Sequence, residues 1–299
     1  MLYRKSLRAF KLVSLATVEQ HGPRARPPDC VRFGQRMTQE VGVSVQQHRV
    51  PAGGESPHTG WLASFRIDPV LMRIFVATGL LLVLMTIIGF GWLMHMVPPP
   101  SPADSKQATL AWVSKHQTSI LIGAALVTFF WSFWVTWAAP ILLYIRRMER
   151  VPLLTFACLA NVGGGAAVIT TIAVAWTVMA FRGEDPAIVQ AFNDLGFFLF
   201  LYTWPPFGIF MVIIAVAIWR DVNATPTFPR WVAYYNVYAA LGMAPASFMG
   251  LFKTGPLAYN GILAFWVVAV DFFVWMVVMS VVTFQAITRD EHRLQSLPA

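Results

Sequence analysis

The side chains that could do chemistry are few, and most of them are histidines. The sequence contains six: His21, His48, His58, His95, His116 and His292. Three of them lie within residues 1–60 and His292 lies beyond the last apolar run, so only His95 and His116 are candidates for membrane chemistry. These two could meet and bind haem, or each could be an interfacial polar residue. A membrane di-iron oxygenase needs a larger histidine set, and no Walker, GxSxG or HExxH motif occurs. The sequence therefore predicts no metal, no cofactor and no catalytic residue.

Asp271 is the most unusual polar residue, because it lies inside a long apolar run, between Val270 and Phe272. At 1.5 Å of rise per residue, it lies about 15 Å from one end of its predicted span and about 24 Å from the other. An acidic side chain at such depth costs roughly 2.5–3.5 kcal/mol to insert, so it usually faces the interior of a bundle. Asp271 is therefore the first candidate ligand-binding residue.

A proline pair interrupts another apolar run at a similar depth. Pro205 and Pro206 have no N–H to donate, so the carbonyls of Leu201 and Tyr202 are expected to lose their helical partners. Freed carbonyls at membrane depth must find another donor or line a wet cavity. A protonated Asp271, or a cation bound between these carbonyls and an ionised Asp271, would satisfy them. Asp271, Leu201, Tyr202 and Pro205 thus form the predicted ligand-binding site.

Other helix-breaking residues fall in the same middle band of the membrane. Pro245 lies in a later apolar run, and three consecutive glycines, 163–165, lie in an earlier one. By the same rise per residue, Pro205, Pro206, Pro245 and these glycines lie roughly 15–21 Å from the cytoplasmic ends of their predicted spans. Their common depth favours a site in the middle of the bundle. The alternative is purely structural: the prolines kink helices, the glycines allow close packing, and Asp271 bonds a neighbouring helix.

Composition defines the class of protein around these residues. Hydrophobic residues make up 57% of the 299 positions, and charged residues only 12%, with a mean hydropathy of +0.60. Soluble domains carry about a quarter charged residues, so we expect an integral membrane protein in a lipid bilayer. With only Cys30 and Cys158, neither a disulfide framework nor a cysteine zinc site is expected. The net charge of +8 does not indicate nucleic-acid binding, because residues 1–60 carry +5 of it (nine Lys/Arg, four Asp/Glu).

Six apolar runs are each long enough to cross a hydrocarbon core of about 30 Å, which takes roughly 20 helical residues. They cover residues 71–97, 118–145, 153–181, 193–219, 231–252 and 261–287. Continuously apolar runs predict helices rather than a barrel, whose strands would alternate. The predicted fold is an all-α, polytopic bundle of six transmembrane helices within residues 61–290, followed by a short cytoplasmic tail, 291–299.

The basic residues of the loops predict the orientation of the bundle. One side carries nine: Arg66, Arg73, Arg146, Arg147, Arg150, Arg220, Arg230, Arg289 and Arg293. The other side carries four: Lys106, Lys115, Arg182 and Lys253. Because short cytoplasmic loops carry the excess of Lys and Arg, both termini are predicted to be cytoplasmic.

Residues 1–60 differ from the rest of the chain. They are rich in Arg, Gln, Pro and Gly, and they contain no apolar run able to bury a helix. This composition predicts a disordered basic tail. The alternative interpretation is an upstream extension of the reading frame that is not part of the native protein.

Three short motifs are unusually specific for a membrane protein. They read FPRWVAYYN at 228–236, FKTGPLAYNG at 252–261 and AFW at 264–266. Together with the triple proline at 98–100 and the NDLG stretch at 193–196, they resemble a family of uncharacterised six-helix bacterial membrane proteins. The resemblance covers about residues 66–287. It implies the fold, the topology and a bacterial inner-membrane location, and it transfers no activity to any residue.

These features lead to three functional hypotheses. The first is a non-enzymatic multi-pass protein that binds or moves a small solute at the mid-bundle site. The second is a scaffold subunit whose helices contact a membrane-protein partner. The third is a membrane-embedded enzyme that modifies a lipid, with Asp271 as acid or base. Transporters often have helix breaks at matching positions of two inverted repeats, whereas the proline breaks here fall in the fourth and fifth runs, which argues against transport.

Overall fold

The computed structural model describes residues 68–296, and every regular element among them is helical. The α-helices are α1 (Pro69–Thr86), α2 (Lys106–Trp131), α3 (Trp134–Met148), α4 (Leu153–Phe181), α5 (Pro186–Phe197), α6 (Pro205–Trp219), α7 (Arg230–Gly242) and α8 (Val268–Gln295). Wider π-helical turns occupy Ile87–Leu93, Phe198–Tyr202 and Ile262–Val267, and a 3₁₀ helix occupies Ala244–Leu251. The predicted tail, residues 1–60, lies outside the described residues.

Five helical stretches between residues 68 and 296 are long and apolar enough to cross a membrane. They are Pro69–Leu93, Lys106–Met148, Leu153–Phe181, Pro186–Trp219 and Ile262–Arg293. They correspond to the first four predicted runs and the sixth. The described part of the chain is therefore an all-helical protein of the membrane-spanning type.

The fifth predicted run, 231–252, is not one continuous α-helix. Its α-helical part, α7, has 13 residues, or about 20 Å of rise, which falls short of a hydrocarbon core of about 30 Å. The α-helix ends at Gly242 and the chain continues as a 3₁₀ helix with Pro245 at its start. The missing N–H of a proline is tolerated at that position and not inside an α-helix.

Arginines mark one end of the bundle, which we call the arginine end. Arg73 at the start of α1 lies 2.5 Å from Glu291 near the end of α8. Arg147 at the end of α3 lies 2.5 Å from Asp290, and the N–H of Val222, just after α6, donates to the carbonyl of Met148. The outer ends of α1, α3, α6 and α8 therefore meet at this end.

Histidines mark the opposite end, which we call the histidine end. The rings of His95, after the first π-helical turn, and His116 of α2 are 4.3 Å apart between centroids. Gln117 donates to the carbonyl of Ala180 at the end of α4, at 2.8 Å. Between the arginine and histidine ends run the five long stretches and the segment formed by α7 and the 3₁₀ helix.

Buried indoles hold the helices together across the core. Trp137 of α3 donates from Nε1 to Ser280 Oγ of α8 at 2.9 Å, and Trp275 of α8 donates to Asn236 Oδ1 of α7 at 2.9 Å. All four side chains are fully buried. In lipid, apolar burial does not drive one helix against another, so such bonds and close packing carry the association. They place α8 between α3 and α7.

Candidate functional site

A cavity lies among the helices. Its wall takes residues from each of the five long stretches and from the segment formed by α7 and the 3₁₀ helix. Its volume is about 50 Å³, which is room for a few water-sized molecules. The wall includes Leu82 of α1, Trp134 of α3, Ile172 of α4, Phe207 of α6, Met243 after α7 and Phe272 of α8. All of its lining side chains are apolar or aromatic, and none is titratable. The cavity therefore suits an apolar group rather than an ion.

Interruptions of the helices converge on this cavity. Trp131 and Trp134 flank the break between α2 and α3, and Leu201 belongs to the π-helical turn before α6. Met243 joins α7 to the 3₁₀ helix, and Val268 begins α8 after another π-helical turn. Three of the five long stretches, and the segment formed by α7 and the 3₁₀ helix, thus depart from α-helical geometry at the cavity wall. Such departures are frequent at functional sites, where they re-aim side chains and permit rearrangement.

The break before α6 satisfies its own backbone more fully than the sequence suggested. The carbonyl of Leu201, expected to lose its partner, accepts the N–H of Trp204 at 3.3 Å, because the chain tightens into a turn before Pro205. The Trp204 indole then donates to Ser247 Oγ at 2.7 Å. Since Ser247 belongs to the 3₁₀ helix, this bond joins the break before α6 to the break after α7.

The structure brings one of the four predicted site residues to the cavity. Leu201 is 1% exposed and lies on the wall. Tyr202 is 48% exposed, and Pro205 is exposed as well, so both lie on the outer surface of the bundle. Asp271 is not among the lining residues, although the next residue, Phe272, is one of them. The four residues therefore do not form a single cluster.

Asp271 lies against α7 instead. A Cβ atom built on Gly242 would be 2.7 Å from Asp271 Oδ2, so the carboxyl group rests directly on the α7 backbone. Oδ2 is buried and has no hydrogen-bond partner among residues 68–296, and the same holds for the phenol oxygen of Tyr235 on α7. Buried polar atoms without partners are uncommon in proteins. Asp271 is therefore a polar feature of the α7–α8 contact rather than of the cavity.

The aromatic part of the cavity wall escaped the sequence analysis. The rings of Trp131 and Phe200 are stacked with centroids 5.9 Å apart, and Phe207 meets Trp134 edge-on at 5.3 Å. A signal was available in the sequence. The stretch Lys106–Met148 has 43 residues, about twice the length of a straight span, and these two tryptophans flank its break.

The histidine pair meets as the sequence suggested. His116 Nδ1 lies 2.9 Å from the carbonyl of Trp112, and His95 is exposed with a left-handed φ of 55°. Within residues 68–296, no group of three or more His, Cys, Asp or Glu is arranged to hold a metal ion. The pair is thus a two-residue contact at the surface of the bundle.

A buried polar network lies near the histidine end. Asn193 Nδ2 donates to the Tyr259 hydroxyl at 3.0 Å, and that hydroxyl donates to Asp194 Oδ1 at 3.1 Å. Asn193 and Tyr259 are almost completely buried, and the Tyr259 ring stacks on Phe197 with centroids 4.7 Å apart. Burial raises the pKa of the Tyr259 phenol, and the Asp194 carboxylate raises it further. The network anchors the loop before the last helix onto α5.

No protein-family model matches the chain, and no curated protein or solved structure matches it either. The class of protein therefore follows from the fold: a polytopic, all-helical membrane protein with an apolar cavity among its helices.

Proposed function

We propose that this protein binds a small apolar solute, or the apolar part of a larger one, in the cavity among its helices, and that it is not an enzyme. The observation that carries the proposal is the convergence of four helix interruptions on one cavity. Uninterrupted helices would pack more tightly, and breaks give the wall segments freedom to separate and admit a molecule larger than the cavity of about 50 Å³. A cavity wall without titratable groups offers no general acid, base or nucleophile, which supports binding over catalysis.

We further propose that the chain crosses a bacterial inner membrane six times, with both termini cytoplasmic. The segment of α7 and the 3₁₀ helix supports this, because it begins near the arginine end and leads to the histidine end. Phe228, before α7, contacts Tyr144 of α3, with ring centroids 5.5 Å apart. Tyr259, after the 3₁₀ helix, stacks on Phe197. The arginines gathered at one end agree with the excess of basic residues on the cytoplasmic side.

The four residues first chosen from the sequence have different roles in this proposal. Leu201 forms part of the cavity wall. Tyr202 and Pro205 shape the break that positions it. Asp271 lies outside the cavity, at the neighbouring α7–α8 contact. Its unpartnered carboxyl oxygen offers a polar binding position next to the cavity residue Phe272.

The rival function is a scaffold subunit that contacts a membrane-protein partner. One observation favours it. An exposed row on α7, formed by Trp231, Tyr234, Tyr238 and Leu241, has helical spacing and is unusually aromatic. A scaffold of this kind needs no cavity. Filling the cavity should therefore abolish solute binding but leave a scaffold function unchanged.

A cavity-filling variant tests the proposal. Ala269 lies on the wall, whereas the next residue, Val270, is exposed on the outer surface of α8. We expect n-hexane to raise the melting temperature of the purified wild-type protein in detergent, because a solute that binds the folded state stabilises it. Ala269→Leu should abolish this shift by occupying the space, and Val270→Leu should retain it. Equal shifts in all three proteins would refute binding in the cavity and leave the scaffold function.

A further inference from the structure

Besides Asp271 Oδ2 and the Tyr235 oxygen, two more buried polar atoms among residues 68–296 have no partner. The orientation of the first, on Asn193, follows from the network around it. The Asp194 carboxylate can only accept, so the Tyr259 hydroxyl donates to it and must accept from Asn193 Nδ2. The amide oxygen of Asn193 therefore points away from Tyr259. Asn193 is 2% exposed, and this oxygen has no hydrogen-bond partner among residues 68–296.

The second atom is the indole nitrogen of Trp176, on α4. Trp176 is fully buried, and Nε1 also has no partner in the described part of the chain. The indole lies on α5, because a Cβ built on Gly196 would be 2.2 Å from Nε1. Gly196 follows Asn193 by three residues, so both lie on one face of α5. One unsatisfied donor and one unsatisfied acceptor thus lie about one helical turn apart.

Trp176 lies next to a residue of the cavity wall, although neither Trp176 nor Asn193 lines the cavity itself. Phe200, one turn beyond Gly196, lines the cavity, and its ring centroid is 5.9 Å from that of Trp176. Four residues of helix correspond to about 6 Å of rise. A molecule extending from the cavity toward the histidine end would therefore place its end beside the Trp176 N–H and the Asn193 carbonyl.

We propose that the ligand of this protein is a neutral amphiphile with a hydroxyl or primary amide head group. The head group accepts from Trp176 Nε1 and donates to Asn193 Oδ1, and the hydrocarbon part lies in the aromatic cavity. An anionic head group does not fit, because it offers no proton to the Asn193 oxygen and would lie near the Asp194 carboxylate. This inference rests on the proposed function and names the class of its ligand.

Three six-carbon probes test the inference: n-hexane, 1-hexanol and hexanoate. Wild-type protein should bind 1-hexanol about tenfold more tightly than it binds n-hexane, since two hydrogen bonds to buried partners are gained. Hexanoate should bind more weakly than 1-hexanol. Binding is measured by titration calorimetry in one detergent, and affinities are corrected for the measured partition of each probe into empty micelles.

Trp176→Phe removes the indole N–H and keeps an aromatic ring. It should lower the affinity for 1-hexanol about tenfold and leave that for n-hexane unchanged. Trp137→Phe is the matched control, because the Trp137 N–H is already bonded to Ser280, and it should leave the ratio of the two affinities at its wild-type value.

The outcomes separate this inference from the proposed function. If wild-type protein binds 1-hexanol no more tightly than n-hexane, the polar pair is met by a buried water molecule and the inference is overturned, although the cavity function stands. This comparison needs no variant, so it decides the matter even where Trp176→Phe does not fold. Binding of neither probe would overturn both.

Discussion

The carboxyl group of Asp271 rests on the backbone of Gly242, so closely that a methyl group at position 242 would lie 2.7 Å from Oδ2. The contact brings the end of α7 against α8 at the point where α7 is followed by the 3₁₀ helix. It therefore gives a structural reason for a glycine at 242, and it makes the pair testable.

Gly242→Ala should lower the free energy of unfolding by about 1–3 kcal/mol, because the added methyl group displaces the Asp271 side chain in a packed contact. Asp271→Ala in the same chain should restore most of the loss, since the two positions touch and their effects are not additive. Gly163→Ala is the control, because a Cβ there meets nothing within 4 Å. Unfolding in mixed micelles measures all four proteins. A loss that persists in the double variant would contradict the contact.

Glu149 should stabilise the start of α4. Its carboxylate accepts the backbone N–H groups of Leu154 at 2.7 Å and Thr155 at 2.9 Å, which have no partners within the helix. Glu149→Ala should cost about 1–2 kcal/mol of unfolding free energy, and Glu149→Gln less, since an amide oxygen still accepts one of these bonds. Glu184→Ala, at an exposed position, should cost little. Equal losses for Glu149→Ala and Glu184→Ala would rule out a capping role.

The stability that the Tyr259 network contributes should be lost at alkaline pH. The pKa of the Tyr259 phenol is raised by burial first and then by Asp194, so the folded state favours the protonated form. The resulting stability is complete below the ordinary tyrosine pKa of about 10 and is lost as the pH rises through the higher folded-state value.

Tyr259→Phe is the variant that isolates this contribution. At neutral pH it should be less stable than wild type by about 1–3 kcal/mol, because Asn193 and Asp194 lose their shared partner. Above about pH 10 the difference should shrink. Melting curves of both proteins from neutral to alkaline pH measure the difference. A gap that widens with rising pH would contradict the assignment.

The proposed topology is tested by labelling single cysteines in a chain with Cys30 and Cys158 replaced by alanine. Gln107 and Ser296 are both exposed and lie toward opposite ends of the bundle. A membrane-impermeant maleimide should label Gln107→Cys on intact cells and Ser296→Cys only after permeabilisation. The reverse pattern would indicate the opposite orientation of the bundle, and labelling of both from outside would exclude the odd number of crossings that the proposal places between them.

Much of the helical architecture follows from the sequence, because hydropathy and capping act locally. Five of the six apolar runs are helical stretches long enough to span a membrane. The pair Asp185-Pro186 is a local helix-start signal, and it begins α5: the Asp185 side chain accepts the N–H of Ala187 at 2.8 Å, and Pro186 occupies the first helical position. Both signals lie within one continuous stretch of sequence, so they need no knowledge of neighbouring helices.

The site required the tertiary structure. Their predicted depth groups Asp271 with Leu201, Tyr202 and Pro205, yet only Leu201 lies on the cavity wall. Depth follows from counting residues, but the direction in which a side chain points depends on the rotation of its helix. In a soluble protein an amphipathic pattern reveals that rotation. In lipid the outer face is as apolar as the core, so the sequence by itself determined which segments are helices and how deep their residues lie, whereas only packing decided which faces meet around the cavity.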